Sequence, residues 1–146
     1  MNIYERIKNR HQREIDSFPI GTAFNKKQFV EMLKNWGLTA YDTDKILPLG
    51  DGHYILKTDK DRYKEMLSRH KKDIEFYIAH DKKGTGFIYD MFLYELANHN
   101  FCVTCDLTDT IEALGLTIEK INRDKRLRYG LKKAKSEYLK HYNTFF

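Results

Sequence analysis

Apolar and polar positions follow two different periods along this chain. From Met1 to Asp16, Ile3, Ile7 and Ile15 share one face with His11 between them, which is the spacing of a thin amphipathic helix. Pro19 and Gly21 in "SFPIGTAF" oppose helix and break it. Asn25 stands where an N-cap belongs, ahead of "KKQFVEMLKNW", in which Phe29, Val30, Leu33 and Trp36 recur at helical spacing; Gly37 follows as a C-terminal glycine. The period then changes. In "DKILPLGDGHYILKTD" two short apolar runs flank Gly50-Asp51-Gly52, predicting a β-hairpin whose first strand, carrying Pro48, lies at a sheet edge. Thr58 or Asp59 caps the next helix. Its stripe is Tyr63, Met66, Leu67, His70, Ile74, Tyr77 and Ile78, opposite a charged face, and "DKKGTG" ends it.

"FIYDMFLYELANHN" is apolar nearly all round, as expected of the buried centre of a domain. "FCVTC" reads as a short β-prone or extended piece. Thr108 or Asp109 begins a short helix ending at Gly115, and Thr117 begins another. The later stripe of Leu127, Leu131, Ala134, Tyr138 and Tyr142 is out of phase with Ile118 and Ile121, so a break is expected between Asn122 and Asp124. The pattern predicts an α+β, mostly helical fold: a single domain over residues 1–146, with about six helices and a small β-hairpin.

Composition supports a folded globule, since 41% of residues are hydrophobic and 14% aromatic. The start "MNIYERIKNRHQREI" lacks the apolar run of a secretory signal, and no stretch reaches the length of a membrane span. The two cysteines, Cys102 and Cys105, are too few for a disulfide framework. A soluble, cytoplasmic protein with reduced thiols and no membrane partner is expected. Charge sharpens the picture, because it is uneven. Residues 84–116 hold five acids and no Lys or Arg, whereas residues 117–146 hold nine Lys/Arg and three acids. A cationic tail of that kind meets phosphate, an acidic protein, or only solvent.

Four constellations carry candidate chemistry. "LTDTIEALGLTIEKINRDKRLRYGLKKAK", residues 107–135, has the helix–turn–helix outline, with Arg123, Lys125, Arg126 and Arg128 positioned for phosphates and Lys132 and Lys133 continuing the basic face. Against DNA binding stand Ile111, where close helix crossing favours a small residue, and the acids Asp106, Asp109 and Glu112. The plainer alternative is a helical hairpin closing the core. His99-x-x-Cys102-x-x-Cys105 offers imidazole and thiolates at zinc-ligand spacing, but a fourth ligand must come from Asp106, His80 or His53; two reduced cysteines and a surface histidine are the plainer account, and no cofactor is expected. Asp90, Glu95 and His99 bring carboxylates and an imidazole to one helix, where Glu95 and His99, four apart, share a face; structural satisfaction of buried polar groups competes with acid–base catalysis. Ten tyrosines complete the set; Tyr4, Tyr41, Tyr54, Tyr129, Tyr138 and Tyr142 are expected to be exposed, with Tyr129, Tyr138 and Tyr142 on the basic helix as aromatic contact candidates.

Taken together, "SFPIGTAFNKKQF", "DTDKILPLGDGHYILKTD" and "GTGFIYDMFLYELANHNFCVTCDLTDTIEALGLT" resemble an uncharacterised family of small proteins carried by phages and conjugative elements of gut and Gram-positive bacteria, from Met1 to about Tyr138. The resemblance implies no catalytic motif. It implies action by binding: blocking a host defence enzyme as an anti-CRISPR does, adjusting transcription, or rewiring a host complex. The expected function is therefore a non-enzymatic binding protein directed at a host protein or nucleoprotein. A helix–turn–helix-like DNA binder is the first alternative and a small metal-dependent enzyme the second.

Overall fold

The structure, a computed structural model, describes residues 1–99, 101 and 106–144, and the side chains up to His141. Seven α-helices and three short strands occur among the described residues: α1 (Ile3–Ser17), β1 (Gly21–Thr22), α2 (Lys26–Asn35), β2 (Ile46–Gly50), β3 (His53–Leu56), α3 (Lys60–His80), α4 (Phe87–Asn98), α5 (Thr108–Ala113), α6 (Ile118–Arg123) and α7 (Lys125–Thr144). The α+β, mostly helical class holds, with helix among the described residues far above the roughly one third usual in globular proteins. Contacts group the chain into two compact units, residues 10–70 and residues 1–9 with 71–146.

Residues 10–70 form a small α+β unit. The hairpin forms as its spacing predicts: Gly50, Asp51 and Gly52 all take positive φ, and β2 and β3 pair antiparallel with an irregularity between Pro48 and Gly50. The sequence hid a third strand. Gly21 and Thr22, in the stretch expected only to break a helix, pair with Tyr54 and His53, so the sheet order is β1-β3-β2 and β2 with its proline lies at an edge. Gly21 has a packing reason to be glycine, because a Cβ there would come within 2.5 Å of Met32 Sδ. Helix α2 is closed at both ends by local chemistry. Asn25 Oδ1 accepts from Gln28 N at 2.9 Å. Beyond the other end, Gly37 at φ +71° lets Leu38 N reach Leu33 O and Gly37 N reach Lys34 O. Met32 and Leu33 carry its buried face against Ala23 and Ile46, while Val30, expected in the stripe, is exposed.

In the same unit His11 and His70 are buried and stacked, with ring centroids 3.9 Å apart, and Glu14 bonds both Arg69 and His70. Those bonds, the one from Arg69 first, hold the Glu14 carboxyl down at about 2.

The other unit is built round α4, as its all-round apolarity implies. Ile88, Met91, Phe92 and Leu96 are fully buried and pack with Tyr4 and Ile7 of α1, Ile111 of α5, Ile121 of α6, and Leu127 and Ala134 of α7. Burying each large side chain stabilises by about 1.5–3 kcal/mol. Gly115 at φ +66° ends α5, Thr117 Oγ1 caps α6 by accepting from Lys120 N, and α6 stops at Arg123 with Asp124 extended before α7 begins, which is the expected break. The expectation for "FCVTC" falls largely on residues 102–105, outside the described ones.

Asn25→Ala leaves the first turn of α2 without its cap. Unfolding by urea is expected to show a loss of about 1 kcal/mol with an unchanged m-value, and Asn25→Ser, which keeps an acceptor oxygen at the cap, to retain most of that stability.

Candidate anion-binding cleft

The sequence places its candidate phosphate contacts on residues 123–133; the structure divides them by what holds them. Arg126 is half-buried and fully engaged. Its guanidinium meets both oxygens of Asp124, at 3.3 and 3.0 Å, and donates from Nη1 to Ile78 O at 2.8 Å and Asp81 O at 2.9 Å. Those carbonyls lie at the C-terminal end of α3, where acceptors have no partner within the helix and a cation is favoured. Asp81 faces the other way. Its carboxylate accepts from Gly84 N, Gly86 N and Ile88 N at 3.0–3.1 Å, closing the turn into α4. Burial pushes the Asp81 carboxyl up, but the backbone bonds outweigh it and hold the group below its usual value.

Two glycines let the turn lie directly on α7. A Cβ on Gly84 would fall 2.3 Å from Arg126 O, and one on Gly130 would fall 2.5 Å from Ile88 Cγ2 and 2.8 Å from Gly84 O. The turn 82–86 and the first two turns of α7 therefore form one close-packed corner.

Over this corner opens a cleft of about 380 Å³, lined by Lys82, Lys83, Thr85, Lys125, Arg126 and Tyr129. Among the described residues Lys82, Lys83 and Lys125 form no ion pair, and the nearby acids Asp81 and Asp124 are already bonded. Tyr129 is 50% exposed. Arg123, Arg128 and Lys132 are exposed along the neighbouring surface. Lys133 sits over the Tyr89 ring, 5.2 Å from its centroid, and Tyr138 is half-buried near Phe101. Tyr142 has no described side chain. Of the residues singled out on the basic helix, Lys125 and Tyr129 reach the cleft with free groups, whereas Arg126 is its fastening. Lys82 and Lys83 were missed. Their only sequence signal was a lysine pair ahead of Gly84-Thr85-Gly86, and a lysine pair before a turn reads as an ordinary helix terminus.

The carboxylate–imidazole set on α4 is arranged differently. Glu95 is fully buried; Tyr4, expected to be exposed, is buried as well because its hydroxyl donates to Glu95 Oε1 at 2.5 Å, and Lys8 Nζ lies 3.2 Å from the same oxygen. His99 Nε2 lies 3.2 Å from Oε2, out of hydrogen-bonding alignment. Burial first, then the bond to Glu95, pushes the Tyr4 hydroxyl far above its usual value, so it stays a donor. Thr110 in α5 donates to the Glu95 carbonyl at 3.3 Å. Asp90 is half-buried, and burial followed by Glu5 and Asp81 raises it. Cys102 and Cys105 of the metal candidate lie outside the described residues, and among the described ones no three metal-ligating side chains converge. Within the stretch 107–135, α5 and α6 form on either side of Gly115, with Thr110, Ile111, Leu116 and Ile121 buried.

These features define a mostly helical α+β protein with a cationic cleft on its C-terminal helix. A family model described as "Family of unknown function (DUF7659)" matches residues 3–137, and the chain belongs to that family. No curated protein and no solved structure matches it. Among the described residues no helix is long and apolar enough to cross a membrane.

Asp81→Ala removes three bonds to backbone donors. At pH 7 it is expected to cost about 2 kcal/mol. A carboxyl held low in the folded state stabilises above its unfolded value of 3.8 and loses that contribution as pH falls through the folded value. The gap between wild type and variant in thermal unfolding should therefore narrow below pH 4, and a gap constant from pH 7 to pH 2 would refute the assignment.

Proposed function

We propose that this is a non-enzymatic binding protein of mobile-element origin that engages a host protein or nucleoprotein through the cationic cleft and adjoining face of α7. The observation that carries the reading is the set of lysines at 82, 83 and 125, without ion-pair partners among the described residues, gathered round an exposed tyrosine on a close-packed corner. Cations without internal partners raise the encounter rate with an acidic surface and orient it, while an exposed aromatic supplies contact area. Inhibition of a defence enzyme, as by an anti-CRISPR, is one role of this kind. The mobile-element origin rests on the resemblance of the quoted stretches alone. A binding rather than a catalytic role is supported by the state of Glu95, whose carboxylate is buried beneath Tyr4 and Lys8. The reading requires no cofactor and places the protein in the cytoplasm.

Duplex DNA binding by residues 107–135 is the second reading. It is favoured by the left-handed Gly115 between α5 and α6 and by the exposed Arg123, Lys125 and Arg128. It is disfavoured by the exposed Asp109 and Glu112 on α5 and by the shortness of α6, six residues.

The test is affinity capture from a bacterial lysate, with and without nuclease, using wild type and the triple variant K82E/K83E/K125E. All three side chains are exposed, so the melting temperature should stay within about 2 °C. Capture of the partner should drop by roughly tenfold or more. Equal capture by both proteins would exclude this face; loss of all capture on nuclease treatment, with a gel shift of duplex, would favour DNA.

A further inference from the structure

We propose that the cleft over the α3–α4 turn binds single-stranded nucleic acid, with the lysines on the phosphodiester backbone and a base stacked on Tyr129; this rests on the binding role just described and names its ligand. Three observations carry it.

The first is which cation is free. An ammonium acts as a point charge that suits phosphate oxygens at many angles, whereas arginine's planar fork fixes the angle at which a carboxylate or a phosphate is held. The arginine lining this cleft, Arg126, has its guanidinium occupied by Asp124 and by two backbone carbonyls. What the cleft offers a ligand is ammonium: Lys82, Lys83 and Lys125.

The second is the ring. Tyr129 lies one helical turn from Lys125, 50% exposed, in a cleft of about 380 Å³. An aromatic beside cations is the arrangement by which single strands are held without sequence reading, because every base has a face to stack and only an unpaired base presents it. A duplex keeps its bases in the stack and offers this ring only backbone.

The third is direction. Lys132, one turn beyond Tyr129, is exposed and forms no ion pair among the described residues. Lys125, Tyr129 and Lys132 follow the i, i+4, i+7 spacing of one helix face, so charge, ring and charge succeed one another along α7. Thr85, across the cleft, adds a hydroxyl donor.

The experiment is fluorescence anisotropy of the full chain with labelled thymidine and uridine oligonucleotides of about 12 residues, a duplex of equal length, and polyglutamate as competitor. The wild type should bind the strand more tightly than the duplex, with a log–log salt slope of about −2 for three phosphates. Tyr129→Ala should weaken strand binding roughly 5- to 100-fold, while Tyr129→Phe keeps it within about twofold. K82E/K83E/K125E should abolish it with an unchanged melting temperature. If Tyr129→Ala leaves strand affinity unchanged, or if polyglutamate displaces the strand at equal charge, the single-strand assignment falls and an acidic protein partner remains; if duplex binds better, it falls in favour of duplex DNA. If strand, duplex and polyglutamate all fail to bind at low salt, the cationic cleft has no such ligand and both readings fall.

Discussion

The structure of residues 71–146 turns on how Arg126 is held. One guanidinium joins two chain segments: Asp124 ahead of α7, and the end of α3 through the carbonyls of Ile78 and Asp81. Arginine suits this joint because its donors are fixed in a plane and it stays charged at any working pH. The same Asp81 whose carbonyl receives the guanidinium sends its carboxylate to the first turn of α4. Two residues thus satisfy an α3 C-terminus and an α4 N-terminus together, ends that would otherwise leave backbone groups without partners. Gly84 and Gly130 make the approach close enough for the joint to close.

That joint also decides which charges remain free. Part of the acid-rich stretch 84–116 is engaged within its own unit. Glu95 is buried under Tyr4 and Lys8, and Asp106 holds Thr108 through both its hydroxyl and its amide. Asp109 and Glu112 are exposed on α5. Charges separated by more than about 10 Å are largely screened at ordinary ionic strength, so a net balance summed over sequence says little about the field at one cleft. The local inventory matters: lysines on both sides of the cleft, and the neighbouring carboxylates already bonded.

Much of this was legible because it is local. Asn25, Gly37, Gly115 and Thr117 announce helix ends through short-range hydrogen bonds, and Gly50-Asp51-Gly52 announces its turn through positive φ. The phase slip between Ile121 and Leu127 marked the break at Asp124, because helical periodicity tolerates no offset. What failed to show was tertiary. Gly21 and Thr22 are too short a run to carry strand periodicity, and they become a strand only because β3 offers its other edge. Val30 and Met32 lie two apart, and only the packing partner settles which faces inward. Arg126 looked like its basic neighbours, since nothing in "RDKRLRYG" reveals that carbonyls from residues 78 and 81 would reach it. For the same reason Lys82 and Lys83 carried no signal of the cleft they border.

A stiff corner carrying loose lysines has a definite energetic consequence. Fixing a lysine side chain on a ligand costs up to about 2 kcal/mol of rotamer entropy, which offsets much of what an exposed ion pair returns. Three such contacts contribute chiefly to encounter rate and salt sensitivity. Tyr129 behaves differently. Its ring has two rotatable bonds, stands on a helix whose first turns are anchored by Arg126, and loses little freedom on contact, so a surface it can cover returns more per residue immobilised. On the proposed reading, charge brings a partner to the cleft and the ring sets how long it stays.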